Sequence, residues 1–504
     1  MAEATTLKQA EVDSPCHAYI EMAEEWDLMR RLIKGSSAMR AAGETYLPQE
    51  DVEQSKHYNN RLARSFLLGF TENAIRKISS RPFRREVRIK GDLPKTIEPM
   101  ADNVDREGHT LTQFANQMLY DGITYGKTHV LVDYPALDEE TKKLSNLERM
   151  KNGILPYFIH FKPDQVIGWR STRPKGTAEK KLIQVRIKSE NWEPDGDYGE
   201  KKVEYVRVYT PGRWELHAKE EGQNKFIMTK SGETGLDYIP FYTFYTRQTG
   251  YMTAKPALSN LAETELTYWQ SYSDHRNILR VARFALLFIK GVSHKNAKKF
   301  VAIGPFVLNA LEGKDADMKF VEHHGHAIKA GERDLERLEK IANIQAMQPM
   351  VSKSGFPSAT GEIIEEAKSQ ADIVLWVKAL QKTIHECFKA AGNYVTAKLS
   401  DDFGIDIFDD VGITVRSIDE FKELTKLFLT DKMPADTFYA EAIRRGVIDD
   451  MLDPLLLSYA LDEGVNLSDV RWEGDRIVLN TERAPKPTEK KKVPEEEEEL
   501  VETT

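Results

Sequence analysis

The spacing of apolar residues changes several times along the chain. Over residues 17–33, HAYIEMAEEWDLMRRLI, they recur every three or four positions, which predicts an amphipathic helix, and Gly35 follows as a stop. Residues 57–80 read as a second helix, broken by Arg81-Pro-Phe83, and RREVRIK at 84–90 alternates like a basic strand. Leu111–Tyr120 has helical spacing, with Gly122 expected to stop it, and the β-branched stretch Thr128–Tyr134 reads as a strand. From about 155 to 247 the period falls to two. Ile183, Val185 and Ile187 alternate with polar residues, as do Tyr205–Tyr209 and Trp214–His217. Turn clusters at Glu193–Gly199, Pro211-Gly212 and Lys230–Gly235 separate them, so the pattern predicts an antiparallel sheet.

Helical spacing then returns. Residues 256–289 read as one helix opened by Pro256, with Leu258, Leu261, Tyr268, Tyr272, Leu279, Ala282 and Leu286 as its apolar steps. A mixed segment, 290–327, leads to a helix over 331–347, with Leu335, Leu338, Ile341 and Ala342 on one face. The loop 348–358 precedes a very long helix starting near Thr360. Its predicted stripe is Ile363, Ala367, Ala371, Val374, Val377, Ile384, Phe388, Ala391 and Val395. At roughly 36 residues it would reach about 54 Å, too long for one compact domain and suited to a strut in a larger assembly. Two or three shorter helices are expected over 417–464, and Trp472–Leu479 is the last stretch expected to be ordered. The remainder, APKPTEKKKVPEEEEELVETT, is too polar to bury a core and is expected to be disordered. No internal repeat is visible.

Composition narrows the class. The 504 residues suggest about three domains, and 30% charged against 40% apolar residues suits a soluble protein. No apolar run approaches a membrane span; Ala282–Ile289 is short and contains Arg283. The first residues have neither the basic start nor the apolar segment of a secretory signal. Two distant cysteines, Cys16 and Cys387, offer no disulfide framework and fit a reducing compartment. A net charge of −9 argues against a tight nucleic-acid coat but leaves room for local basic patches. One such patch is clear. Between 275 and 299 there is no Asp or Glu, while Arg276, Arg280 and Arg283 fall on one helix face near Gln270 and His275, and Lys290, Lys295, Lys298 and Lys299 follow. It fits phosphates or the acidic residues of a neighbouring subunit equally well.

None of the remaining motifs carries a complete catalytic set. Gly122-Ile-Thr-Tyr-Gly126-Lys127-Thr128 is one residue short of a phosphate-binding loop, and it lies between a helix and a strand in the reverse of the required order. Asp402-Phe403-Gly404 lacks the other kinase motifs and reads as a turn. Asp401, Asp402, Asp406, Asp409 and Asp410 read as a solvated acidic loop. His323, His324 and His326 sit in a glycine-containing loop rather than at zinc-ligand spacing on a helix. Asp195-Gly-Asp-Tyr-Gly199 reads as a hairpin turn rather than a calcium loop, and Cys387 as a small core residue. No catalytic constellation emerges, and no cofactor or metal is expected.

The order of parts, from helical start through sheet, long helix, mixed insert, returning helix, loop, very long helix and helical end to acidic tail, resembles a tailed-bacteriophage portal protein. The local likeness lies in Tyr46-Leu-Pro48, Arg61-Leu-Ala-Arg-Ser-Phe-Leu67 and Gly126-Lys-Thr-His-Val-Leu-Val-Asp-Tyr-Pro135, and the resemblance covers roughly 15–480. It implies an α+β portal-type fold, mainly helical, with an antiparallel sheet in a wing and long stem and tunnel helices. The implied divisions are a wing (1–255), stem helix (256–289), clip (290–327) and returning stem helix (328–347). A tunnel loop (348–358), a long kinked helix (359–399), a crown (400–482) and a disordered acidic tail (483–504) follow. The family's subunits form a ring, usually of twelve, at one capsid vertex of the virion, made in the bacterial cytoplasm. Implied partners are further copies of the chain, double-stranded DNA contacted without regard to sequence, the terminase motor, head-completion or adaptor proteins, scaffold and major capsid protein; no membrane is involved. Met350, Ser352, Lys353, Ser354 and Phe356 would face DNA in the tunnel loop. Another capsid-associated minor head protein is the nearest alternative, and a nucleotide-driven enzyme a more distant one.

Overall fold

The computed structural model describes residues 11–283, 286–290, 317–321, 325–346, 359–408, 425–430, 432–444, 470–473 and 476–479. They separate into two compact units, 1–412 and 413–504.

The first unit opens with α1 (His17–Lys34), which buries Met22, Trp26, Met29 and Leu32 and ends at Gly35 with φ +84°. Helix α2 (Ser36–Ala42) follows. The single helix expected over 57–80 is two helices, α3 (Ser55–Arg64) and α4 (Phe70–Ser80). The break has a physical cause. Gly69 is left-handed at φ +76°, and Ser65 turns its hydroxyl to the Arg61 carbonyl and the Ser273 hydroxyl. The predicted basic strand shrinks to β1 (Arg88–Lys90), paired with Gly404–Asp406.

Helix α5 (Leu111–Tyr125) begins in a Thr110–Gln113 capping box. It does not stop at Gly122, which is buried within it because a Cβ there would run into the Phe244 ring. The terminator is Gly126, at φ +83°. The chain then forms β2 (Lys127–Asp133), α6 (Asn146–Lys151), β3 (Tyr157–Phe161) and β4 (Val166–Thr172). The period-two region supplies β5 (Lys181–Asp195), β6 (Gly199–Thr210), β7 (Arg213–Glu220) and β8 (Ile227–Glu233). It ends in β9 (Phe241–Tyr245), β10 (Gln248–Gly250) and β11 (Thr253–Ala254). All pairings are antiparallel. The larger sheet has the order β4-β5-β6-β7-β8 and a smaller one has β3-β2-β9. Leu131, Phe161, Val166, Val185, Ile187, Tyr209 and Phe241 share a core drawn from both sheets. The two flanks of the larger sheet differ. On β4, the Ile167 carbonyl accepts the Cys16 N–H at 2.8 Å, and Arg186 on the next strand donates to the Val12 carbonyl at 2.9 Å. On β8, Ile227 and Met228 are exposed.

Helix α7 (Ser259–Ala282) is shorter than expected. Pro256 lies before it, and Leu286-Leu-Phe-Ile289 belongs to a strand, β12 (Leu286–Lys290), paired with β13 (Asp317–Val321). Four consecutive apolar residues ending in a β-branched one suit a strand as well as a helix, so spacing alone misassigned them. Helix α8 (His326–Gln345) starts ahead of the predicted position, so His326 is helical rather than in a loop. It runs antiparallel to α7: Thr264 meets Gln345 at 2.7 Å, Tyr268 donates to Glu339 at 2.9 Å, and Gly331 makes room for His275. Helix α9 (Ala359–Tyr394) is 36 residues long. Val377, Ile384, Phe388, Ala391 and Val395 are buried as expected, with Ile373, Trp376, Leu380 and Cys387, whereas Ala371 is exposed and Val374 only half-buried. Strand β14 (Gly404–Asp406) follows a turn in which Phe403 packs on Phe388. Most of these helices share one core with the buried face of β2.

In the second unit the described residues include α10 (Ala435–Arg444), and a hairpin of β15 (Val470–Glu473) with β16 (Arg476–Leu479). Phe428 and Phe438 stack with centroids 4.4 Å apart. Asp409, Asp410 and the tail 483–504 lie outside the described residues.

Candidate functional site

The Gly-Lys-Thr run is built for packing. Lys127 is fully buried; its ammonium donates to the Met252 carbonyl and faces the rings of Trp169 at 4.6 Å and Trp26 at 5.6 Å. Burial pushes this ammonium down to about 7. Thr128 bonds His160 at 2.6 Å and the Phe161 carbonyl at 3.2 Å. Gly126 lies so close to the Lys255 carbonyl that no side chain fits. A phosphate-binding lysine must reach its anion, and this one is enclosed on all sides.

The structure gathers the predicted arginines into a groove. Arg276 and Arg280 are exposed along α7 and Arg283 just after its end, and α3 brings Arg61 and Arg64 against them. Together with Ser65, Ser273 and Asn277 they line a cavity of about 210 Å³ whose lining contains no carboxylate. Arg61 is the structural member. It is 6% exposed, gives two hydrogen bonds to Glu53 at 3.0 and 2.8 Å, and reaches Asp274 at 3.2 Å and the Pro48 carbonyl at 2.8 Å. Its guanidinium holds the Glu53 carboxyl below the usual range. The Ser65–Ser273 contact, 2.9 Å between oxygens, pins α3 to α7 beneath the groove. Arg64 donates to the Asn60 carbonyl, and Arg276 lies over the Tyr272 ring at 5.7 Å. Among the described residues, Arg64, Arg276, Arg280 and Arg283 make no ion pair. Four unpaired guanidinium forks around one hollow suit phosphate or carboxylate groups.

Gln270 and His275 do not join this face. Gln270 donates to the Tyr46 carbonyl at 3.0 Å, and His275 is buried against Gly331. Lys290 is exposed at the end of β12. Lys295, Lys298 and Lys299 lie outside the described residues, as do Met350, Ser352, Lys353, Ser354, Phe356, His323 and His324. The contribution of Arg61 and Arg64 was not read from the sequence. Their i,i+3 spacing puts both on one face of a short helix, but only the fold brings that face to α7.

A larger cavity, about 910 Å³, lies between α4, α5 and β3, with Arg76, His109, Tyr157, His160, Lys162 and Arg207 among its lining. Next to the lining residue Gln117, Asp121 is 2% exposed, accepts from Gln117 at 2.8 Å, and has its carboxyl raised by burial. Burial lowers His160 to about 4. Asp105, Glu107 and His109 cluster at the rim. Asp105 is engaged in closing that loop: it accepts the N–H of Glu107 at 2.9 Å and of His109 at 3.3 Å, and meets the His109 ring at 2.6 Å. Asp401 and Asp402 are exposed, and Asp406 pairs with Lys90 at 3.3 Å.

Residues 257–395, from the end of the sheet region to the end of α9, match a family described as a domain of unknown function, DUF4055. No curated protein matches the sequence. Among solved structures, a chain in the virion of a native gene transfer agent particle is similar, with a TM-score of 0.40 and 8% identity over 73% of this chain and 88% of that one. A chain from the neck of the native particle, computed with C12 symmetry, has a TM-score of 0.36 and 8% identity over 72% and 84%. One from the neck of the empty particle, computed with C6 symmetry, has the same score and identity over 75% and 89%.

Proposed function

We propose that this chain is a portal-type ring subunit: a non-catalytic structural protein that, with its copies, surrounds double-stranded DNA and offers a docking platform for a packaging motor and head-completion proteins. The observation that carries the reading is the run α7–β12–β13–α8–α9. Two antiparallel helices end in a small strand pair, and a 36-residue helix then follows. That succession matches what the resemblance implies for stem, clip, returning stem and long helix. The charge distribution supports it. A ring through which a duplex slides must not grip it, since each phosphate neutralised adds about 0.9 to the log–log salt slope of binding. An acidic chain with one sparse arginine face offers weak contact. Exposed apolar residues on helices, such as Leu375 at 64% and Ile344 at 55%, are the kind that neighbouring copies cover.

Native mass measurement and electron micrographs of the purified protein test the proposal. A closed annulus of discrete stoichiometry, with a bore wide enough for a duplex, is the expected result. Solitary particles under every assembly condition would overturn it.

A further inference from the structure

The hairpin of β5 and β6 extends beyond the sheet that holds its base. Strand β6 pairs with β7 only as far as Val203 opposite Glu220, so beyond Asn191 and Val203 the two strands have only each other, out to Asp195 opposite Gly199. A two-stranded ribbon is marginal in water on its own. This one displays Trp192 at 64% and Tyr198 at 101% exposure. Its end is acidic. Glu193 accepts the Tyr205 hydroxyl and Glu190 pairs with Lys202 at 2.7 Å, but Asp195, Asp197 and Glu200 make no ion pair among the described residues. The tip is therefore a set of free carboxylates beside two bare aromatic rings.

The groove on α3 and α7 is the complement: Arg64, Arg276, Arg280 and Arg283 are exposed, make no ion pair among the described residues, and no carboxylate lines the groove. Guanidinium groups bind carboxylates in forked pairs and stack on the faces of Trp and Tyr, so one chain carries both halves of an interface. We propose that the β5–β6 tip of one copy docks in the arginine groove of the next. The two patches differ, so the contact is head-to-tail, the type that closes rings when the rotation between copies allows it. This rests on the ring reading above, whose own test is whether the unaltered protein assembles at all. A duplex occupying the groove is the rival, separated by the same experiment.

The test reverses the charge of each half in the full chain: Asp195→Lys with Asp197→Lys at the tip, and Arg276→Glu with Arg280→Glu in the groove. Sedimentation and native mass then report assembly. Each variant alone is expected to need a concentration about tenfold higher or more to assemble, the loss typical of a desolvated anchor. Mixed one to one, the two variants are expected to co-assemble alternately, because each supplies the partner the other lacks; misfolded chains would not. Trp192→Ala is expected to weaken assembly without altering its salt dependence. If the unaltered protein and both variants assemble alike, the docking proposal falls while the ring stands. If the groove variant assembles normally but loses binding of a short DNA duplex, the groove takes DNA and the proposal falls. If the unaltered protein never assembles, the ring reading fails first.

Discussion

The carboxylate of Glu265 on α7 accepts the backbone N–H of Thr71 at 2.8 Å, and its other oxygen accepts that of Phe70 at 2.9 Å. A residue almost 200 positions away thus caps α4, and it does so with no solvent exposure. The carboxylate meets two N–H groups that a helix start leaves open, and its charge opposes the positive end of the helix dipole. Glu265→Gln keeps the shape but loses the charge and one acceptor, and is expected to cost about 1–3 kcal/mol. Glu265→Ala leaves both N–H groups buried and unpaired and is expected to cost more. Urea unfolding midpoints measure both.

Lys127 gives the protein a pH dependence of known sign. In the unfolded chain its ammonium keeps its proton up to about 10.5, and in the fold it lets go near 7. Between those values the unfolded state binds more protons, so this residue makes stability rise with pH, by up to about 1.4 kcal/mol per unit. Below about 7 both states hold the proton and its contribution is flat. Lys127→Met is expected to remove that slope and to be more stable than the unaltered protein near pH 7. Denaturant titrations at pH 7, 8 and 9 check this. On the portal reading, DNA packaging with the folded variant is expected to match the unaltered protein.

Two left-handed glycines are expected to respond differently to alanine. At Gly235, φ +73° with open space around it, the substitution strains only the backbone, at about 1–2 kcal/mol. At Gly126 the added carbon also collides with the Lys255 carbonyl, which the backbone cannot yield without moving the start of α7. Gly126→Ala is therefore expected to abolish soluble folded protein, whereas Gly235→Ala lowers the thermal midpoint by a few degrees. Circular dichroism melts distinguish them.

The 348–358 loop is the segment that the portal reading assigns to DNA contact. Deletion of residues 349–357 is expected to spare ring assembly and to impair DNA packaging or retention. Unchanged packaging by assembled rings would remove the DNA-contact role from that loop.

Much of the fold was legible because its elements obey simple periods. Helix α1 buries one apolar face and Gly35 closes it where expected; β5, β6 and β7 form where the period of two places them, with Val185 and Ile187 buried, although Ile183 is exposed and β7 is only half-buried. The errors share a cause: distant partners decided them. The break before α4 depends on Gly69 and on Ser65 bonding Ser273. Gly122 stays helical because Phe244 needs its space, and Leu286–Ile289 takes a strand because Asp317–Val321 lies beside it. The α7 arginines were visible as a single-sign run. Their companions Arg61 and Arg64 were not, because no local pattern announces which helix another will meet.

The unequal flanks of the larger sheet set a direction for growth. On β4 the Ile167 carbonyl already has its donor from Cys16, while β8 pairs on one side with β7 and exposes Ile227 and Met228. An extended segment from another chain joining along β8 would meet Lys230 within the strand and Lys225 just ahead of it, whose charges discourage indiscriminate stacking. A strand extending the sheet along β8 would lie beside Lys230, so an acidic residue opposite it would be favoured and this flank would select its guests by charge.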